Sequence, residues 1–168
     1  MTDQIVISTA GEDALTLIRN IAYKTWPAAY GAILSEAQIS YMLELFYETE
    51  ALQSNLENGH HFIIASKNDI ALGFASYAHN YKNQSTTRIP KIYVLPEAQC
   101  QGIGRKLLDE IANLAKTQGD TKLSLNVNRN NLAQHFYRKL GFEISAEEDI
   151  QLAHGYVMED YIMEKLLP

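Results

Sequence analysis

Two short stretches of this chain carry residue types and spacings that could do chemistry. The first is Gln99-Cys100-Gln101-Gly102-Ile103-Gly104-Arg105-Lys106. It follows the apolar run Ile92-Tyr93-Val94-Leu95 and Pro96, and it leads into a segment with helical apolar spacing, so it reads as the loop of a strand–loop–helix unit. Glycine permits positive φ and close approach of a ligand to the backbone. Successive N–H groups at a helix start form an anion nest that the helix dipole reinforces. Arg105 and Lys106 fall in the first turn, where cations oppose the dipole unless an anion sits there. A plain glycine-containing turn would carry the same residues, and on this segment alone both readings stand. Two familiar phosphate loops are excluded. A dinucleotide G-x-G-x-x-G would need glycine where Leu107 stands, and Gly-Lys-Ser/Thr is absent.

The second stretch is Asn130-Asn131-Leu132-Ala133-Gln134-His135-Phe136-Tyr137-Arg138-Lys139-Leu140-Gly141-Phe142. On a helix Ala133 and Tyr137 are i,i+4 neighbours, as are Leu132 and Phe136. The apolar pair is expected to pack against a sheet while Tyr137 points to a different surface. A phenol with a reference pKa of about 10 keeps its proton at neutral pH and can donate it to a leaving group. Read alone, Tyr137 is better explained as an aromatic at the core's edge with a wet hydroxyl.

In this order, about one strand apart, the two stretches resemble the Q/R-x-x-G-x-G/A and N-x-x-A-x-x-F/L-Y-x-K-x-G-F signatures of the GNAT family of N-acetyltransferases. The resemblance implies an α/β fold: a mixed, mostly antiparallel sheet with a splayed central strand pair and helices on both faces. It implies transfer of an acetyl group from acetyl-coenzyme A to a primary amine, with no metal. The strand residues Tyr93, Val94 and Leu95 would pair with the pantetheine arm, and a backbone N–H there would stabilise the oxyanion. The loop Gln99, Cys100, Gln101, Gly102, Ile103, Gly104, Arg105 and Lys106 would hold the pyrophosphate. Asn130 would make a polar contact to coenzyme A, and Tyr137 would protonate the leaving thiolate. The general base is left open among Glu97, Glu44, His79 and Tyr93. His60-His61 is no chelating pair, because neighbours on a strand face opposite sides.

Acceptor choice points to the N-terminal helices. Tyr23 to Gly31 and Ser35 to Tyr47 are rich in aromatics and are joined by Glu36, Glu44 and Glu48, a mixture that suits a cation. Tyr41-Met42-Leu43, with His154 to Tyr161, resembles the PaiA-type polyamine acetyltransferases, so spermidine or spermine is the expected acceptor. A protein N-terminus, an amino acid or an antibiotic is the alternative within the class. A coenzyme A-binding regulatory module without turnover is the alternative outside it, and the joint presence of Tyr137 and the glycine loop argues against that.

The elements that must position these residues follow from periodicity. Ile5 to Ser8 predicts a strand, and Gly11 to Lys24 a helix that ends before Pro27. Ser35 caps a helix through about Leu45, with Gln38 completing a capping box. Glu48 to Leu56 is a further helix. His61 to Ser66 and Ile70 to His79 form a hairpin around Lys67-Asn68-Asp69. Arg88 to Leu95 is a strand, Gly104 to Gln118 a helix, Lys122 to Asn128 a strand and Asn131 to Leu140 a short helix. Phe142 to Ile144 and Tyr161 to Leu167 are the last strands. No repeat or flexible linker interrupts residues 1–168, so one domain is expected.

Composition narrows the classes further. With 168 residues, 46% of them apolar, a substantial core can form. The net charge of −6 and the absence of a basic patch speak against nucleic acid or an anionic membrane. One cysteine, Cys100, permits no internal disulfide and fits a reducing compartment. MTDQIVISTA lacks a basic segment followed by a long apolar run, and no window approaches the ~18 apolar residues of a membrane span. A cytoplasmic enzyme with a small-molecule partner is expected, and a homodimer is compatible with the sequence.

Overall fold

The computed structural model describes residues 3–168; Met1 and Thr2 lie outside it. Seven strands form one sheet: β1 (Val6–Ala10), β2 (His61–Lys67), β3 (Ile70–Ala78), β4 (Thr86–Val94), β5 (Lys122–Asn128), β6 (Glu143–Gln151) and β7 (Val157–Leu166). Their order is β1-β2-β3-β4-β5-β7-β6, and every neighbouring pair is antiparallel except β4 and β5. Helices α1 (Leu15–Tyr30), α2 (Glu36–Tyr47) and α3 (Thr49–Glu57) cover one face, and α4 (Ile103–Thr117) and α5 (Ala133–Lys139) the other. This is the mixed, mostly antiparallel sheet expected from the sequence.

The apolar stripes explain which faces meet. Ile103, Leu107, Leu108, Ile111 and Ala115 are the buried side of α4 and pack over Leu123 and Leu125 of β5. Ile18, Ala22 and Trp26 bury the inner side of α1, against Phe74 and Tyr93. The β2–β3 hairpin turns at Asn68 and Asp69, both with positive φ (51° and 64°), as a two-residue turn matched to the sheet's twist requires.

Three expectations need correction. Helix α1 does not stop before Pro27 but runs on to Tyr30. Pro27 removes a single helical bond in the last turn, and the burial of Thr25 and Trp26 with the Trp26–Tyr30 ring contact (4.6 Å) holds the turn in place. The Ser35 cap forms, its Oγ accepting from Gln38 N at 3.1 Å, but the capping box does not close. Gln38 turns its amide inward to Val157 O at 3.1 Å. The last two strands are far longer than their apolar patterns, pairing from Glu143 with Glu164 to Gln151 with Val157. Strand β6 is almost wholly exposed and is fixed by its ladder, so hydrophobic alternation could not reveal it.

Candidate active site

The site begins where β4 and β5 part. They pair only from Thr86 with Lys122 to Ile89 with Leu125. The next residue of β4 is Pro90, which has no N–H to extend the ladder. On the other edge, Ser76 and Ala78 of β3 face Lys91 and Arg88 of β4, which leaves Tyr77 alone opposite two residues, so β4 bulges at Ile89-Pro90. The bulge resets the alternation, and Arg88, Lys91 and Tyr93 all face α1–α3. Beyond it Leu95 N donates to Leu72 O at 2.8 Å. That register turns the backbone groups of residues 91, 93 and 95 toward β3, and those of Ile92 and Val94 into the gap left by β5. The Val94 N–H is thus a free donor aimed into the split.

The glycine loop sits at the end of this open edge. Among the described residues, the N–H groups of residues 100–105 donate to no protein acceptor, and the first helical bond is Lys106 N to Gly102 O at 3.1 Å. Cys100 and Gly102 take positive φ (64° and 77°), which curls the loop so that these N–H groups converge. A Cβ on Gly104 would lie 3.2 Å from Phe136 Cζ, so the glycine keeps the helix start, the end of β4 and α5 in close approach. Arg105 and Lys106 are exposed, and Arg105 reaches only Asp109 at 4.0 Å. Gln99 extends its amide toward Val94 O at 3.5 Å, and Gln101 is exposed. Ile103 and Leu95 bury their side chains in the core, so they can meet a ligand only through backbone. Asn130 is exposed beside this edge, its N–H held by Asn128 Oδ1 at 2.8 Å.

Helix α5 packs opposite to the expected sense. Leu132 and Phe136 face solvent at 77% and 38% exposure, while Tyr137 is buried edge-on to Phe142 (5.8 Å between centroids). The inner side of this short helix is the i,i+4 pair Ala133 and Tyr137. Burial pushes the Tyr137 phenol above its ordinary range, with the Tyr30 hydroxyl adding to the effect, so it stays protonated at neutral pH. Among the described residues its hydroxyl has no hydrogen-bond partner.

On the α1–α2 side of the split lies a cavity of about 200 Å³. Trp26, Tyr30, Met42, Tyr93, Lys91 and Asp160 are among the residues of α1, α2, β4 and β7 that line it. The Tyr30 and Tyr93 hydroxyls are 2.9 Å apart. Lys91 donates to Asn55 Oδ1 at 3.1 Å and lies over the Tyr47 ring. Burial lowers its pKa from 10.5 to about 8. Asp160 is 5% exposed and accepts from Asn126 Nδ2 at 3.1 Å. Neither Lys91 nor Asp160 was singled out from the sequence. A signal for Asp160 was present: Glu159-Asp160 interrupts a strand of large apolar residues, and neighbours on a strand face opposite sides, so one of the two must point inward.

The residues weighed as bases fall elsewhere or are already engaged. Glu97 is exposed in the turn after β4. Glu44 and Glu36 line an outer groove with Tyr23, on the far side of α2 from Tyr93. Glu48 is held by Arg19 (3.1 Å) and the Tyr23 hydroxyl (2.6 Å). His79 bonds Thr87 Oγ1 at 2.9 Å, which donates to Asp120 at 2.7 Å, at the paired end of β4. Tyr93 lines the cavity, but burial raises its pKa well above the usual phenol value, which makes it a poor base. His61 stacks on Tyr77 at 5.1 Å, and His60 Nδ1 is buried without a partner among the described residues.

A sheet split at its centre, an anion nest at one mouth of the split and a buried phenol beside it define a coenzyme A-dependent acyltransferase. The acetyltransferase (GNAT) family model matches residues 17–142, and the chain belongs to that family of N-acetyltransferases. It is 30% identical to the spermidine N(1)-acetyltransferase of Thermoplasma acidophilum, over 92% of this chain and 91% of that one. It is 27% identical to the L-amino acid N-acyltransferase MnaT of Escherichia coli, over 53% of this chain and 54% of that one. The crystal structure of the PaiA N-acetyltransferase from Thermoplasma acidophilum in complex with coenzyme A superposes with a TM-score of 0.80, at 25% identity, covering 97% of this chain and 99% of that one. No helix among the described residues is long and apolar enough to cross a membrane.

Proposed function

We propose that this chain, working as one domain, acetylates small primary amines, polyamines first. Acetyl-coenzyme A lies along the 99–106 loop and the free edge of β4, and the amine enters the cavity under α1 and α2. The observation that carries the reading is the cavity itself: aromatic walls and one buried carboxylate converge on Tyr93, at the edge where the Val94 N–H is free. Aromatic faces and a carboxylate favour an ammonium. The likeness to a spermidine acetyltransferase supports the polyamine as first choice. In the reaction the neutral amine attacks the thioester carbonyl, Val94 N–H stabilises the oxyanion, and Tyr137 protonates the departing sulfur. The nest of N–H groups at residues 100–105 offsets pyrophosphate charge, and the exposed side chains of Gln99, Gln101, Arg105, Lys106 and Asn130 add polar contacts to coenzyme A.

Lys91 favours a second reading. A buried cation in the same cavity suits an amine that also carries an anionic group, such as an amino acid. Thiol release from acetyl-coenzyme A across polyamines, monoamines, amino acids and peptides separates the two. Fastest turnover with spermidine or spermine supports the first reading. Turnover confined to amines bearing a carboxylate overturns it in favour of the second, and turnover confined to peptides overturns both.

A further inference from the structure

Asp160 is a buried carboxylate whose side chain forms no ion pair among the described residues. Its Oδ2 accepts one bond, from Asn126 Nδ2 at 3.1 Å, and its Oδ1 accepts none among the described residues. The cations nearest to it are directed elsewhere. Arg129 pairs with Asp149 (2.8 Å) and Glu147 (3.9 Å) and gives only the Asp160 backbone carbonyl a bond, at 3.2 Å. Arg88 bonds Ser124 Oγ at 3.1 Å and Asn126 Oδ1 at 2.6 Å. By holding the amide oxygen, Arg88 fixes the Asn126 amide so that its NH₂ points at Asp160 and Glu148. Lys91 lines the same cavity but is bonded to Asn55. A buried charge left unpaired is costly, and an orphan of this kind in a cavity marks a place for a missing partner.

We infer that Asp160 binds the ammonium of the acceptor and takes its proton, delivering the free amine to the thioester. This rests on the cavity being the acceptor site. Four observations meet at this side chain: it lines the cavity, one oxygen is unengaged among the described residues, the other is fixed by the Arg88–Asn126 pair, and Tyr30 and Tyr93, whose hydroxyls lie 2.9 Å apart, line the same cavity. Burial raises the Asp160 pKa, with Glu148 adding to it and Asn126, Arg88 and Arg129 opposing, which makes the carboxylate a better proton acceptor than an exposed one. The step balances. The ammonium gives one proton to Asp160, and the neutral amine attacks the carbonyl carbon. The C–N bond forms and the C–S bond breaks. Tyr137 protonates the thiolate and recovers a proton from the amide nitrogen, and Asp160 releases its proton to water.

The test uses the full chain with Asp160→Asn, Asp160→Glu and Met42→Trp, each checked for folding by thermal melting. Asp160→Asn is expected to keep its acetyl-coenzyme A affinity by calorimetry. Its kcat/KM for the amine should fall by roughly 10²–10⁴-fold at neutral pH, the usual range for proton-transfer catalysis. The deficit should shrink as pH rises toward the amine's own pKa of about 10, where the amine arrives neutral. Asp160→Glu, which keeps a carboxylate, should retain more activity than Asp160→Asn. A deficit that is constant with pH means a structural role and overturns the inference, as does wild-type turnover. If the asparagine variant does not fold, amine affinity of the wild-type complex with coenzyme A decides. It should fall on acidification through the carboxylate's titration, and an affinity flat down to acid pH overturns the inference. Met42→Trp fills the cavity. If it leaves amine KM unchanged, the cavity reading fails. If it abolishes amine turnover while Asp160→Asn does not, only the role of Asp160 fails.

Discussion

The loop at residues 99–106 and the cavity beneath α1 and α2 meet at the same edge of β4, yet they are assembled in different ways. The loop is a run of sequence neighbours whose N–H groups converge because Cys100 and Gly102 adopt positive φ. The cavity draws on α1, α2, β4, β5 and β7, whose contributing residues span the chain from Trp26 to Asp160. On the proposed reading the donor substrate is met mainly by backbone, and the acceptor by side chains. Backbone recognition tolerates most side-chain changes. Side-chain recognition lets one scaffold change its acceptor by substituting residues that play no part in holding the loop.

The sharpest way to probe the boundary between the two regions is Tyr137→Phe, which removes one buried hydroxyl and almost no volume. The chemical step should slow by roughly 10²–10⁴-fold with little change in KM for acetyl-coenzyme A, read in single-turnover experiments. Wild-type turnover would place the proton donor elsewhere. On the donor side, Gly104→Val should weaken acetyl-coenzyme A by about tenfold to a hundredfold, since the new side chain meets Phe136 Cζ and crowds the nest. Calorimetry on the folded variant checks it, and unchanged affinity would remove the loop from the site. On the acceptor side, Lys91→Met should flatten the pH dependence of stability. The folded pKa of Lys91 is about 8 against an ordinary 10.5, so between those values the unfolded chain holds the extra proton and stability rises with pH. Below pH 8 that benefit is missing. The stability of wild type relative to Lys91→Met should therefore climb from pH 8 to 10.5, measured by urea denaturation, and a constant difference would mean that Lys91 is not desolvated. The smallest effect is expected outside both regions. Ser35→Ala removes the cap of α2 and should cost about 1 kcal/mol in the same assay, with acetyl-coenzyme A affinity unchanged.

How legible each part was follows from the range of the interactions that fix it. The α4 stripe, the β2–β3 turn, the Ser35 cap and the glycine loop rest on residues within a few positions of one another, and local pattern exposed them. The errors have longer-range causes. Pro27 looks like a stop in the local pattern, yet α1 continues because Trp26 and Tyr30 pack on Tyr93, more than sixty positions away. The inner side of α5 is the reverse of the one its apolar pair suggests, because Tyr137 packs on Phe142 while Leu132 and Phe136 stay exposed. Glu36, Glu44 and Glu48 look like acceptor residues in the sequence, but Glu36 and Glu44 line an outer groove and Glu48, at the cap of α3, bonds Arg19 and Tyr23.

The sequence by itself determined the family, the order of elements, the glycine loop that opens α4 and the place of Tyr137 on a short helix, because each of these is encoded by contiguous residues whose backbone preferences act locally. It also contained Pro90, whose missing N–H ends the β4–β5 ladder. Only the tertiary structure decided what faces the resulting gap. The bulge at Ile89-Pro90 turns Arg88, Lys91 and Tyr93 to one side, and the β5–β7 register brings Asn128 opposite Asp160. The register and the bulge depend on pairing between distant segments, and burial of Asp160 and Lys91 depends on α1 and α2 closing over them. No local pattern carries that information, because a strand's alternation says which residues share a face and not which face the helices will cover.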